Sequence, residues 1–316
     1  MVARIFIDGE AGTTGLQIRE RLAGRRDIDV LSIPPERRKD LEARAELLNT
    51  ADIAILCLPD DAARESVSLI ANDTTRVIDA STAYRTDPDW VYGFAEMDKG
   101  QAEAIATARF VANPGCWPQG LIANLRPLIA AGLIPADTRV SYNGISGYTG
   151  GGKSMIAEYE AAGPSASQFL AYGLTFEHKH VPEMTAYTKL ANAPLFVPSV
   201  GNFAQGMATF VPLQLGSLDT VPTGKQLHAA IADHFAAIKD GFVEVAPYVE
   251  AVRIPELDPE TYNDTNRMRL HVFANDARAQ AVLVAVYDNL GKGASGAAVQ
   301  NLNLMLGVDA RESLAA

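Results

Sequence analysis

Cys116 is the residue in this chain best placed for chemistry. It stands in Asn113-Pro114-Gly115-Cys116-Trp117-Pro118, between a strand-like stretch (Ala108 to Ala112) and a long helical pattern (Gln119 to Ala131). A thiol at a helix N-terminus meets unpaired backbone N–H groups and the positive end of the helix dipole, which favour the thiolate. The only other cysteine, Cys57, lies inside the apolar run Ile53-Ala54-Ile55-Leu56-Cys57-Leu58 and reads as an inert core thiol. A reactive thiolate attacks carbonyl carbon, and such chemistry needs a group that takes and returns protons. The densest ionisable cluster is His178-Lys179-His180-Val181-Pro182-Glu183, which holds two of the five histidines. A zinc site is a poor rival there, because His-x-His with Glu and no cysteine pair is not zinc-ligand spacing. Pro182 argues against a continuous helix through this segment.

Two glycine-rich runs suit phosphate. Gly9-Glu10-Ala11-Gly12-Thr13-Thr14-Gly15 follows the first strand pattern and opens the first helix pattern. Its spacing is G-x-x-G-x-x-G, and it lets backbone approach a pyrophosphate at a helix N-terminus. The second strand ends Leu31-Ser32-Ile33-Pro34-Pro35 with no acid, and Glu36-Arg37-Arg38-Lys39 follows. An NAD site usually carries an acid there for the ribose 2′-OH, whereas Ser32 with Arg37 and Arg38 suits a 2′-phosphate, so NADP(H) is the expected cofactor. The second run, Asn143 to Lys153, offers backbone N–H groups, Ser146 and Lys153 as an anion nest. Ser81-Thr82-Ala83-Tyr84-Arg85 follows the fourth strand pattern, at the edge where ligands usually bind, and Arg85 can clamp a carboxylate or phosphate.

The elements that must position these groups fall into two textures. Short apolar strands at Ala3–Asp8, Ile28–Ile33, Ala51–Leu58, Arg76–Asp79 and Arg109–Ala112 alternate with helices at Thr14–Ala23, Arg37–Asn49, Asp61–Ala71 and Lys99–Ala106. That pattern predicts an α/β, Rossmann-type doubly wound parallel sheet. After Cys116 longer alternating runs appear at Thr138–Ile145, Met207–Leu215, Phe242–Val249, Met268–Ala274 and Gln280–Tyr287, with helices near Lys153–Ala162 and Gly224–Ala237. They predict an α+β domain with a mixed sheet. The expected division is a dinucleotide domain over 1–115, completed by a C-terminal helix within about 289–316, and a catalytic and oligomerisation domain over 116–288.

The bulk properties exclude several classes. The chain has 316 residues, 48% hydrophobic and 21% charged, and a net charge of −11. That charge argues against nucleic acid or an anionic membrane as partner. No stretch approaches the roughly 20 apolar residues of a membrane span. Two cysteines make neither a disulfide framework nor a metal site, and the opening MVARIFIDGE shows no signal-peptide pattern, so a cytoplasmic setting is expected.

Taken together, these motifs resemble the N-acetyl-γ-glutamyl-phosphate reductases in their shorter form. The likeness runs through most of the chain. It rests on Gly9–Gly15, Asp79-Ala80-Ser81-Thr82-Ala83-Tyr84-Arg85, Asn113-Pro114-Gly115-Cys116, His178-x-His180-x-Pro182-Glu183, and Asp288-Asn289-Leu290-Gly291-Lys292-Gly293-Ala294-Ser295-Gly296. The resemblance implies Cys116 as nucleophile and His180 as acid/base, His180 rather than His178 because it stands in the His-x-Pro-Glu context. The expected cofactor contacts are Gly9, Ala11, Gly12, Thr13, Thr14, Gly15, Ser32, Arg37, Arg38, Ser81 and Asn289. The expected substrate contacts are Arg85, Asn113, Ser146, Lys153, His178 and Glu183, with no metal. The implied reaction is NADPH-dependent reduction of an acyl phosphate to N-acetylglutamate 5-semialdehyde in arginine biosynthesis, by a homodimer or homotetramer. An aspartate-semialdehyde dehydrogenase-type reductase is the close alternative. A Cys–His hydrolase or acyltransferase is a more distant one, because it would need no dinucleotide loop.

Overall fold

Four-residue apolar runs such as Ile53–Leu56 have no polar face to show to water, so they need cover on both sides. The computed structural model gives them that cover. It describes residues 2–248 and 257–316, which fall into two compact units. The first unit holds residues up to Ala95, Gly100–Gly115 and Ala294–Ala315; the second holds Glu96–Lys99 and Cys116–Gly293, with the terminal Ala316.

The first unit runs β1 (Ala3–Asp8), α1 (Thr13–Leu22), β2 (Ile28–Leu31), α2 (Leu41–Thr50), β3 (Ile53–Leu56), α3 (Asp60–Ser68), β4 (Arg76–Asp79), β5 (Val91–Tyr92), α4 (Gln101–Thr107) and β6 (Phe110–Ala112). All pairings are parallel, in the order β2-β1-β3-β4-β6-β5. Alternate residues of β1 enter opposite cores: Ile5 and Ile7 join Ile18, Ile55 and Leu302, while Phe6 joins Leu48, Ala54 and Val77. The order reverses between β1 and β3, and the Gly9 loop leaves β1 at that switch point, where doubly wound sheets bind ligands.

One helix starts later than its sequence pattern indicates. Pro35–Arg37 form a 3-10 turn, and α2 begins at Leu41. Asp40 caps it, its carboxylate accepting from the N–H groups of Glu42 (3.0 Å) and Ala43 (3.2 Å). That cap fixes the start more firmly than the periodicity of the residues before it.

The second unit runs α5 (Cys116–Ala130), β7 (Ser141–Gly147), α6 (Gly152–Ala162), β8 (Phe169–Ala171), α7 (Val181–Thr188), β9 (Leu195–Gly201), β10 (Met207–Gln214), α8 (Gly224–Ala236), β11 (Val243–Val245), β12 (Met268–Asn275) and β13 (Gln280–Tyr287). The seven strands lie in the order β11-β12-β13-β10-β7-β9-β8, with β7·β9 and β11·β12 parallel and the rest antiparallel. The last helix, α9 (Gly296–Leu306), belongs to the first unit and buries Ala298, Val299 and Leu302 against its sheet. Of the expected strand Phe242–Val249 only β11 forms, and Val249 lies outside the described residues.

Three elements of this unit are absent from the sequence reading. Pro198 masks β9, since proline offers no N–H to a ladder. β8 is a three-residue, exposed edge strand. α7 corrects the expectation drawn from Pro182: the helix starts at Val181, so Pro182 falls in its first turn, where a missing N–H breaks no helical bond.

The segment Glu96–Lys99 is pinned by ion pairs inside the second unit. Lys292 Nζ donates to Glu96 Oε2 at 2.6 Å, both side chains at most 2% exposed, while Glu96 Oε1 accepts from the Phe242 N–H at 2.9 Å. Arg126 pairs with Asp98. Removing one partner of a buried pair strands the other's charge. Lys292→Met should therefore cost roughly 3–5 kcal/mol in urea unfolding; an unchanged midpoint would show that Glu96 does not depend on the pair.

Candidate active site

The first unit shows a cradle shaped for a dinucleotide phosphate. Gly9 sits at φ +89°, and a Cβ there would stand 2.3 Å from the Cys57 carbonyl oxygen. A Cβ on Gly15 would stand 2.5 Å from the Gly9 carbonyl oxygen. Side chains are thus excluded where the loop folds back on itself. Gly12 is the N-cap of α1 and has no side chain to cap it; no acidic residue stands in the first turn. Thr13, Thr14 and Ala11 are half-buried beside it. Glu10, buried in this loop, pairs with Arg19 and, at 3.0 Å, with Arg38, so its charge is matched by two guanidiniums.

A cavity of about 550 Å³ adjoins the loop, lined by Gly9, Glu10, Ala11, Ile33, Arg38 and Lys39 among others. Arg37 is not among its lining residues. Its guanidinium is held by the carboxylate of Asp40 at 2.8 Å, which draws it to the α2 cap. Ser32 is exposed just beyond β2. Arg44 was missed, because a mid-helix arginine resembles a solvated face. It lies buried, its Nη2 3.1 Å from Asp8 and 2.6 Å from Ser66 Oγ.

Other expected contacts of this unit carry bonds of their own. Ser81 donates through Oγ to Asp79 (2.7 Å), whose carboxyl burial pushes up. Arg85 is buried, donating to the carbonyls of Asn113 and Ala80 at 3.0 Å each, which rules out a surface ion pair. Asn113 donates to Ala294 O (3.1 Å) and accepts from Asn301 (3.0 Å), so its amide tethers the turn before Cys116 to the C-terminal segment.

The second unit holds Cys116 and both histidines of the His-x-His segment. α5 starts at Cys116 itself. Trp117 Nε1 donates to the Tyr172 hydroxyl at 3.1 Å, and the Trp117 ring packs edge-on to Phe196 at 5.3 Å. His178 meets the same Phe196 at 5.2 Å, Tyr172 at 5.9 Å and His180 at 4.8 Å. One aromatic cluster thereby joins the first turn of α5 to the His-x-His segment. Burial pushes the Tyr172 hydroxyl upward, and the Cys116 thiolate adds to the shift.

The two histidines differ. His178 Nδ1 accepts from the His180 backbone N–H at 3.2 Å, so its proton sits on Nε2. Burial and Lys179 lower its pKa, leaving it a neutral donor at pH 7. His180 is buried and forms the N-cap position of α7, and Glu183, 2% exposed, lies in the first turn beyond it.

The glycine-rich Asn143–Lys153 run is only partly a loop. Asn143 to Gly147 lie in β7, paired to β9 and, through Ser146, to β10. The N–H groups of Gly147, Tyr148 and Thr149 donate to Gly206, Phe203 and Ala204 carbonyls. These N–H groups cannot form the anticipated nest, because sheet and turn consume them. Ser146 is buried, with its Oγ 3.3 Å from the Gly147 carbonyl, and Lys153 is exposed at the start of α6. Asn289 accepts from the Gly206 N–H (2.7 Å) and donates to Thr149 (3.1 Å).

Among the described residues no cluster of metal-ligating side chains occurs, and no helix is long and apolar enough to cross a membrane. A doubly wound parallel unit with a phosphate cradle, and a mixed-sheet unit with a cysteine at a helix start beside paired histidines, define a thiol-dependent dinucleotide oxidoreductase. Family models agree: residues 13–108 match the semialdehyde dehydrogenase NAD binding domain, and 116–289 the semialdehyde dehydrogenase dimerisation domain. The chain is 71% identical to an N-acetyl-gamma-glutamyl-phosphate reductase of Mesorhizobium japonicum over 98% of its own length and 100% of that protein's. A reductase of the same name from Chelativorans sp. is 72% identical over 97% of this chain and 99% of its own. Aspartate semialdehyde dehydrogenase II of Vibrio cholerae shares the fold, with a TM-score of 0.69 at 16% identity over 97% of this chain and 99% of that one. The chain belongs to the semialdehyde dehydrogenase family, on its N-acetyl-gamma-glutamyl-phosphate reductase branch.

The two thiols should differ in reactivity. Burial, with Asp79 and Asp8 adding, pushes the Cys57 thiol up to about 12. Iodoacetamide at pH 7 should therefore label Cys116 and spare Cys57, read by peptide mass mapping; preferential labelling of Cys57 would reverse the assignment.

Proposed function

We propose that this protein reduces N-acetyl-γ-glutamyl phosphate to N-acetylglutamate 5-semialdehyde with NADPH, releasing phosphate, in arginine biosynthesis. The observation that carries the reading is the cluster joining the Cys116 helix start to His178 and His180. Cys116 as thiolate attacks the γ-acyl carbon. A C–S bond forms, the C–O bond to phosphate breaks, and the electron pair leaves on phosphate. When bound, NADPH supplies the hydride that reduces the thioester. The carbonyl then re-forms as the C–S bond breaks, and the sulfur returns as thiolate. His180 holds and moves the proton at the substrate oxygen in these steps, since an imidazole can both take and return a proton. His178, neutral with its proton on Nε2, donates to the substrate. Arg85, Ser146, Lys153 and Glu183 are the further substrate groups of the proposal. N–H groups at the start of α5 are suited to a developing oxyanion.

The cofactor is held by the Gly9–Gly15 cradle. Its glycines let the backbone fold back close enough to form it, because a Cβ at Gly9 or Gly15 would strike backbone. Arg38 and Lys39 line the adjoining cavity and supply positive charge for a 2′-phosphate. Arg37, tied to Asp40, is a weaker candidate than its neighbours.

A homodimer, or a tetramer built from it, fits the seven-stranded sheet. The face away from α5 carries Ile145, Phe210, Phe273 and Val282, all only partly buried. A soluble cytoplasmic enzyme accords with these features.

The direct test runs the reaction backwards. Phosphate-dependent NADP⁺ reduction should proceed with N-acetylglutamate semialdehyde far faster than with aspartate semialdehyde; the opposite preference would move the protein to the aspartyl branch. His180→Asn should lower turnover about 10²–10⁴-fold with NADPH affinity little changed. The same loss in His178→Asn, with His180→Asn near wild type, would exchange the two roles. Alanine at Arg38 and Lys39 together should weaken NADPH far more than NADH; equal losses would remove the 2′-phosphate assignment.

A further inference from the structure

The first turn of α5 shares its backbone groups with a buried tyrosine. In an ordinary helix the Cys116 carbonyl would accept from the Gly120 N–H, four residues on. Here the Tyr287 hydroxyl engages both groups as well. It donates to the Cys116 carbonyl at 2.6 Å and accepts from the Gly120 N–H at 3.2 Å. The next carbonyl, of Trp117, accepts from the Tyr142 hydroxyl at 2.7 Å. Both tyrosines are fully buried, at the end of β13 and within β7. Neither is needed to fill space in a way phenylalanine could not, so the hydroxyls need another explanation.

Gly120 is the residue that admits them. A Cβ there would lie 2.6 Å from Thr209 Oγ1, 2.9 Å from the Tyr287 hydroxyl and 3.0 Å from the Tyr142 hydroxyl. Three buried hydroxyls from three strands therefore converge on one glycine, one turn beyond the cysteine. Behind the cysteine, Gly293 leaves room where a Cβ would stand 3.0 Å from Cys116 Cβ. The first turn is held from both sides by atoms that do not belong to it.

We infer that Tyr287 and Tyr142 are positioning residues for the Cys116 nucleophile. They polarise and orient the two peptide units that follow the sulfur-bearing carbon, and so fix the thiolate's direction and raise its population. This rests on Cys116 being the nucleophile. The consequence is electrostatic as well as steric. A donor bonded to the Cys116 carbonyl draws negative charge away from the peptide nearest the sulfur. Burial keeps both phenols protonated, with the Cys116 thiolate pushing them further in that direction, so they remain donors while the thiolate is formed. These two phenols and Tyr172 are among the groups of this unit that couple electrostatically to the sulfur.

The test is Tyr287→Phe and Tyr142→Phe in the full-length enzyme, each read by the pH dependence of iodoacetamide labelling at Cys116 and by steady-state kinetics. Each variant should slow labelling at pH 7 and lower kcat by about three- to tenfold, the scale of one buried hydrogen bond. KM and NADPH binding should stay near wild type, and the labelling profile should move to higher pH. Loss of thermal stability with an unmoved labelling profile and unchanged kcat would make the hydroxyls structural only and overturn the inference. If Tyr287→Phe fails to fold, Tyr142→Phe carries the same test, because it removes a separate donor from a separate carbonyl. Cys116→Ser separates the two claims. If turnover survives Cys116→Ser, the nucleophile assignment fails; if it vanishes while both tyrosine variants behave as wild type, only the positioning inference fails.

Discussion

A buried helix start has to satisfy its own backbone, and in this protein that requirement falls on the residue proposed as nucleophile. Cys116 opens α5, Pro118 contributes no N–H to the first turn, and the side chains from Trp117 to Gln119 are all buried. The strands around it meet the demand. Tyr287 bridges Cys116 and Gly120, Tyr142 holds Trp117, and Gln119 donates to the Lys292 carbonyl at 2.8 Å. The Lys292 side chain is in turn fixed by Glu96. The mixed sheet thus frames the helix terminus at which the proposed nucleophile stands.

The same economy recurs at the dinucleotide loop. There the constraint is steric, and glycine meets it at Gly9 and Gly15 where backbone crosses backbone. The acid in the loop, Glu10, would repel a phosphate if it stood alone. Arg19 and Arg38 pair with it, two guanidiniums against one carboxylate. An overall acidic chain can bind anionic partners in this way because local charge and aligned N–H groups, not net charge, govern the site.

Much of this was legible in the sequence because the deciding signals are local. Continuous apolar runs gave the parallel sheet, glycine spacing gave the cradle, and Asn113-Pro114-Gly115-Cys116 gave the cysteine at a helix start. The rest depends on groups distant in sequence or on competing local rules. Pro198 and Pro182 concealed β9 and α7, since each proline sits where its missing N–H does little harm. Arg37 and Arg38 look alike in a run of cations, yet the Asp40 cap takes one and the Glu10 loop the other. The strand expected to end at Ile145 runs on through Gly147, and the N–H groups assigned to an anion nest are spent on its pairing and the turn beyond. Tyr287 stands 171 residues from the carbonyl it holds, beyond any spacing argument.

In the proposed reaction, hydride transfer passes through an acyl group held on Cys116. A single-turnover experiment without phosphate tests it most directly. Enzyme, NADP⁺ and N-acetylglutamate semialdehyde should give a burst of one NADPH per site and then stall. Intact-protein mass spectrometry should place one N-acetylglutamyl group on Cys116, released when phosphate is added. Multiple turnovers without phosphate, or a burst with no acyl mass on Cys116, would contradict the account.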